Sequence, residues 1–254
     1  MNNRICISIP ITSEKLGDNL KIIKRALNKN PDFIELRFDF IEDLIAVNQN
    51  FLVPLVELIK SSCSSIFTFR SFKEGGKIEL DEETRFQMLK TLIISKPNYL
   101  DVEMGTEENI LSQIIQLAIK ENVTLIFSHH EFNKLGPKLE ADYFNYYHCY
   151  VNRFINRLEE KFNVDKTYIN GYIYKIIFTA EKIIDNLIPL NLCANLGSKF
   201  NIISFCMGKK GIFSRIFCTK FGSFLTYASL EKETAPGQIK IEKIRKYHEL
   251  LFNH

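Results

Sequence analysis

Short runs of β-branched and aromatic residues recur along the chain, and each is followed by a longer stretch whose apolar residues fall at three and four spacing. The runs are RICISIP (4–10), FIELRFD (33–39), SIFTFR (65–70), YLDVEM (99–104), VTLIFSHH (123–130), YIYKIIF (172–178), NIISFCM (201–207) and SFLTYAS (223–229). Between them lie helical patterns such as EKLGDNLKIIKRALNKN, LVPLVELIKSS, DEETRFQMLKTLII and TEENILSQIIQLAIKEN, with GQIKIEKIRKYHELL at the end. Eight strand-then-helix units in 254 residues predict a (β/α)8 barrel, with a doubly wound open sheet as the competing arrangement. No linker rich in Pro, Gly or Ser breaks the series, so residues 1–254 read as a single domain. No GxGxxG or GxxxxGK[ST] loop follows a strand, which argues against nucleotide binding.

Polar positions inside the runs carry a second message. Side chains alternate faces along a strand, so Glu35, Arg37 and Asp39 share one face of FIELRFD while Ile34, Leu36 and Phe38 share the other. The apolar set must meet the helices. The same parity pairs Thr68 with Arg70, Asp101 with Glu103, Ser128 with His130, and Ser8 with Cys6, and it puts Lys175 with Ile173 and Ile177. Charges of both signs converging on the C-terminal ends of strands 2 to 6 describe the polar floor of an active site.

Composition narrows the partner. With 33 basic and 30 acidic residues scattered along the chain, the net charge of +3 calls for neither nucleic acid nor a membrane surface. No basic leader with an apolar run opens the chain, and no stretch reaches the 18 or so apolar residues that span a bilayer, so the expected location is the cytoplasm. The six cysteines show no CxxC pairing and several fall in apolar runs, which predicts buried reduced thiols rather than disulfides or a zinc site. The pair His129–His130 has no accompanying ligand set, so no metal is expected there.

Lys175 stands out because an ammonium in the middle of a buried strand needs a reason. A lysine near pKa 10.4 is neutral in only about one molecule in 2,500 at pH 7, whereas a value near ~8 frees about a tenth as amine, enough to attack a carbonyl and form a Schiff base. Arg37, Arg70 or a later arginine is the expected source of neighbouring positive charge. His130, aimed inward while His129 is sent outward, is the candidate proton carrier. Glu74 lies just past strand 3 in FRSFKEGG, where two glycines allow a tight loop and a carboxylate can orient an imidazole.

The motifs FIELRFD, FTFRSFKEGG, YLDVEM, SHHEF, YIYKI, MGKKGIFSR, FGSFLTYA and TAPGQI occur in the order found in type I 3-dehydroquinate dehydratases, and the chain resembles that family from residue 4 to residue 252. The resemblance implies a (β/α)8 barrel without metal or organic cofactor, usually a homodimer, that dehydrates 3-dehydroquinate to 3-dehydroshikimate in the third step of the shikimate pathway. It implies Lys175 as the Schiff-base lysine, His130 as general base and then general acid, and Glu74 as the group that positions His130. It implies substrate binding by Ser8, Glu35, Arg37, Arg70, Arg215, Thr234 and Gln238, with Arg215 clamping a carboxylate and ETAPGQ (233–238) closing over the ligand.

Three departures from the family pattern stand out: Thr234 where serine is usual, IIFTA after Lys175 where methionine and proline are common, and a longer segment between His130 and Lys175. The extra turns at Tyr143 to Phe162 are expected to be a longer helix, or else to cover the mouth or a subunit contact. Two other functions compete: a Schiff-base aldolase-type barrel, and a metabolite-binding barrel that has lost its chemistry.

Overall fold

The computed structural model describes residues 3–132, 140–231 and 234–252. Eight strands run β1 (Ile5–Pro10), β2 (Phe33–Arg37), β3 (Ser64–Thr68), β4 (Tyr99–Glu103), β5 (Thr124–Glu131), β6 (Ile173–Thr179), β7 (Asn201–Met207) and β8 (Thr226–Ser229). All of their pairings are parallel, in the order β7-β6-β5-β4-β3-β2-β1-β8. Between β7 and β8 the wall is held by a backbone hydrogen bond from Phe224 N to Ile202 O, 2.6 Å, rather than by a ladder. The strands follow one another in sequence, β8 returns to β1, and that bond brings the two end strands β7 and β8 together, so the sheet closes into a barrel instead of staying open.

Helices α1 (Leu16–Leu27), α2 (Gln49–Lys60), α3 (Glu82–Ile94) and α4 (Glu108–Glu121) follow the first four strands as the apolar spacing predicts. Their ends are set locally. The Asn48 side chain accepts from the amides of Asn50 and Phe51 at the start of α2, and Asp81 accepts from Thr84 at the start of α3. Asn122, at φ +58°, closes α4 in the left-handed region that asparagine tolerates. The chain then forms α5 (Glu140–Glu160), α6 (Lys166–Gly171), α7 (Leu187–Leu196), α8 (Ile212–Phe217) and α9 (Ile241–Phe252). No helix among the described residues is long and apolar enough to cross a membrane.

Parity holds where strands are regular. Ile34 and Leu36 are fully buried between sheet and helices, while Glu35 and Arg37 turn into the barrel and are buried too. Asp39 is the exception in how it gets there. It lies in a 3-10 turn (Phe38–Phe40) beyond β2, and its carboxylate folds back to take Arg37 Nε at 2.7 Å and Nη2 at 2.8 Å.

The longer segment before β6 becomes α5, a 21-residue helix. Phe154 packs edge-on to Phe127 of β5, and Tyr147 to Phe178 of β6, so this helix covers the outer wall of β5 and β6. Residues 136–139 of that segment lie outside the described residues. All six thiols are free, four of them buried, and burial pushes Cys206 up to about 12. Such thiols stay protonated and inert.

Candidate active site

The strand ends gather one polar cluster. Lys175 sits mid-β6 in register with Ser128 of β5 and Ile203 of β7, only 5% exposed. Its Nζ donates to Asp101 Oδ2 at 2.9 Å, lies 3.9 Å from Glu35 Oε1, and stands 3.5 Å from the Tyr227 hydroxyl. The expectation of guanidinium groups around this amine is therefore corrected. Carboxylates are its immediate partners, and Arg70 is one step away on the other oxygen of Asp101, at 2.8 Å.

Asp101 is the hub. Besides Lys175 and Arg70 it accepts from the Ser128 hydroxyl at 2.6 Å. Burial alone would raise its pKa, but Arg70 and Lys175 hold it well below the usual carboxylate range. Arg70 Nη1 reaches Glu103 at 2.8 Å and Ser128 at 2.7 Å, and Glu103 also takes Arg85. Breaking such a buried network is costly. Asp101→Asn is expected to lose about 3 kcal/mol of stability in denaturant melts at pH 7, since it leaves two cations short of a carboxylate. Because the folded carboxyl has a depressed pKa, its contribution is complete above the unfolded value of about 3.9 and is lost as pH falls below it. The gap between wild type and variant should therefore stay constant above about pH 5 and narrow under pH 4; a variant as stable as wild type at pH 7 contradicts the hub.

His130 stands at the end of β5 with its ring 10% exposed. Glu74 Oε2 accepts from its backbone amide at 3.0 Å and meets its Nδ1 at 2.9 Å. An ionised Glu74 fixes the Nδ1–H tautomer and leaves Nε2 as the basic nitrogen. Burial, followed by the charges of Arg70 and Lys175, pushes the imidazole pKa well below its ordinary value, so His130 is neutral at physiological pH. The turn that brings Glu74 here (Phe72–Glu74) depends on its glycines. Gly75 has φ +87°, and a Cβ on Gly76 would stand 2.1 Å from Arg70 O.

A second set of polar residues comes from the other half of the barrel. Ser8 of β1 donates to Glu35, which also accepts from Thr68 at 2.9 Å. Thr234 donates to Ser8 Oγ at 2.8 Å, and Gln238 Nε2 donates to Thr234 Oγ1 at 2.8 Å. This ties the 234–238 loop to β1, over the mouth. Thr234 keeps the hydroxyl chemistry expected of serine there. Glu233 lies outside the described residues. The loop also rests on the turn after β7, where Gly208 N donates to Pro236 O at 3.0 Å. Gly237 has φ +75°, where a Cβ would also run into Gly208 O, and Gly208 itself has φ +83°, so both positions favour glycine. Arg215 on α8 is 1% exposed, donates to Tyr227 O at 3.3 Å and stacks its guanidinium 4.4 Å from the Phe205 ring centre.

Lys175, His130, Glu35, Arg37, Arg215, Thr234 and Gln238 line one pocket. Ser8, Arg70 and Glu74 stand behind that lining as supports. Three contributors went unassigned in the sequence. Asp101 was placed on the polar face without a role. Tyr227, whose ring centre lies 4.5 Å from Lys175 Nζ, reads as ordinary core in SFLTYAS, although its register with Cys6 puts it on the inward face. Phe205 gives no polar signal at all.

A buried lysine held on a carboxylate beside a neutral histidine, with buried arginines in the same pocket, suits covalent chemistry on a small anionic carbonyl compound. The family model of type I 3-dehydroquinase matches residues 5–254. The chain belongs to the type I 3-dehydroquinase family. It is 30% identical over 246 residues to the 3-dehydroquinate dehydratase of Methanococcus maripaludis strain C5, covering 96% of this chain and 99% of that protein. It is 31% identical over 224 residues to the same-named protein of Listeria innocua, covering 87% and 82%. The crystal structure of the type I 3-dehydroquinate dehydratase of Clostridium difficile with covalently modified comenic acid superposes with a TM-score of 0.78 at 25% identity, covering 98% of this chain and 92% of that one. A dihydropteroate synthase of Coxiella burnetii, 10% identical with a TM-score of 0.64, shares the fold alone.

Proposed function

We propose that this chain dehydrates 3-dehydroquinate to 3-dehydroshikimate through a Schiff base on Lys175. The arrangement that carries the reading is the Lys175 Nζ–Asp101 contact, set in the same pocket as a neutral His130 backed by Glu74. Carboxylates surround Lys175, and its nitrogen must shed a proton to act as a nucleophile. His130 is the uncharged base in the pocket that can take its proton as the ketone arrives. Asp101, held far down by its cations, cannot.

The amine then adds to the ketone, the imidazolium returns that proton to the carbinolamine hydroxyl, and loss of water gives a protonated imine beside a His130 that is neutral again. That iminium carries the same charge as the ammonium it replaces, so Asp101 stays paired across the covalent step and stabilises the electron sink. The neighbouring C–H is acidified, and His130 Nε2 removes its proton. The imidazolium that forms is held at Nδ1 by Glu74, and it returns the proton to the departing hydroxyl. Water leaves, the imine hydrolyses, and Lys175 is freed. Arg215, 1% exposed and stacked on Phe205, provides a fixed fork for the substrate carboxylate. Glu35, Thr234 and Gln238 present carboxylate, hydroxyl and amide partners to the ring hydroxyls, once the hydrogen bonds they make with one another and with Ser8 are exchanged for substrate.

Incubation with 3-dehydroquinate and borohydride should add one reduced substrate mass to the protein at Lys175, while the conjugated enone product appears in the ultraviolet. Active enzyme that traps no adduct defeats the covalent route. Within the same reading the enzyme serves the third step of the shikimate pathway in the cytoplasm as a homodimer, which sedimentation of the purified chain would reveal as twice 29.6 kDa.

A further inference from the structure

The sequence carries a doubled histidine, and the dehydration assigns a role only to the second. On a regular strand His129 and His130 point to opposite faces, so a single side chain inside the barrel would meet just one of them. Glu74 is not inside the barrel. It hangs from the turn after β3 across the end of β5 and straddles that strand: Oε2 holds the amide and Nδ1 of His130, and Oε1 faces His129 Nδ1 at 3.7 Å. That distance is longer than a hydrogen bond and within ion-pair reach once His129 is protonated. Exposure is graded along the three side chains, with His130 at 10%, Glu74 at 14% and His129 at 25%, so His129 is the solvent end of the row.

We propose that His129 is a positioning residue of the general-base apparatus. Neutral, it turns its Nδ1 side toward the second oxygen of Glu74 from 3.7 Å, a weak dipole contact that favours the first oxygen staying on His130; protonated, it pairs with Glu74 and draws that charge away from His130. The inference rests on His130 being the base. When His130 takes the substrate proton it becomes an imidazolium, and the carboxylate at its Nδ1 is what favours that state. A positive charge on the far side of the same carboxylate opposes it.

The other groups around the row leave this balance intact. From α5, the rings of Tyr150 and Tyr147 lie tilted against His129, with centroids at 5.2 and 6.0 Å. The Tyr147 hydroxyl is committed to Glu131 Oε2 at 2.6 Å, and burial pushes both phenols up, so neither ionises in the working range. Arg70 lies 3.9 Å from Glu74 Oε2 and keeps its charge throughout, and Glu103 is occupied by Arg70 and Arg85. Burial, the largest influence on Glu74, raises its pKa, while His129 and Arg70 draw it back, in keeping with a carboxylate whose charge depends on both neighbours.

The test is kcat against pH from 8 to 5 for the wild type, His129→Asn and His129→Leu, with borohydride trapping run in parallel. Asparagine keeps a donor nitrogen near the Nδ1 position and cannot charge; leucine does neither. The wild type should lose about tenfold in kcat toward pH 5, His129→Asn should lose clearly less over the same span, and His129→Leu should fall about tenfold even at pH 8 with KM nearly unchanged. All three should trap substrate on Lys175 in full, which marks them as folded and competent in the covalent step. An asparagine profile that superimposes on the wild type, or a leucine variant with wild-type kcat, overturns the proposal. A stalled His130→Ala beside unaffected His129 variants would sink this inference alone, whereas a fully active His130→Ala would remove the base on which it rests. If the variants do not fold, histidine nitrogen resonances of the wild type decide: the His130 Nδ1–H signal must move as His129 titrates, and independence of the two refutes the coupling.

Discussion

Lys175→Ala is expected to cut kcat by about 10⁴-fold or more, because it removes the nucleophile and with it the iminium that acidifies the substrate. The variant should remain folded. Asp101 retains Arg70 at 2.8 Å and Ser128 at 2.6 Å, so the deletion does not leave a buried carboxylate alone. Substrate still has Arg215, Glu35 and the 234–238 loop to hold it, and binding measured by calorimetry should weaken far less than turnover. Borohydride should add no mass to the variant. The reading would be abandoned if Lys175→Ala kept turnover within tenfold of the wild type, or if the wild-type adduct mapped to another lysine.

His130→Ala should lower kcat by about 10²- to 10⁴-fold, the usual worth of a positioned proton carrier, and should leave its own signature. The ketone can still condense with Lys175, so the imine accumulates and the trapped mass rises during the assay instead of vanishing. Glu74 would then lose its Nδ1 partner and keep Arg70 and His129 near it. On the proposed route the neutral imidazole is the active base of the wild type. Its folded pKa lies below the ordinary value, so protonation of His130 itself removes activity only at pH well under about 6.5. A His130→Ala enzyme that turns over normally would transfer the proton work to another group and undo the assignment.

The barrel and most of the site were legible in the sequence because both follow from short-range rules. Alternation along FIELRFD puts Glu35 and Arg37 on one face, and the eightfold recurrence of strand and helix makes that face the interior. Ser8, Arg70, His130 and Lys175 fall to the same reasoning. Thr234, Gln238 and Arg215 lie on loops and a short helix where no periodicity operates, and only the family resemblance pointed to them. Asp39 shows where parity stops: the strand ends at Arg37, and a turn rather than the pleat carries that carboxylate inward.

What the sequence determined by itself is which residues face the barrel interior and in what order, since the pleat and the helical repeat are properties of the chain within a few residues. What only the tertiary structure decided is who touches whom across it: that Asp101 rather than a guanidinium holds Lys175, that Glu74 straddles two histidines, and that Tyr227 lies against the amine. Those contacts join residues separated by 74, 56 and 52 positions, and their lengths depend on how eight strands stagger around a common axis. No local pattern encodes that stagger. The charge environment of an amine is a sum over such distances, so it emerges only once the barrel has closed.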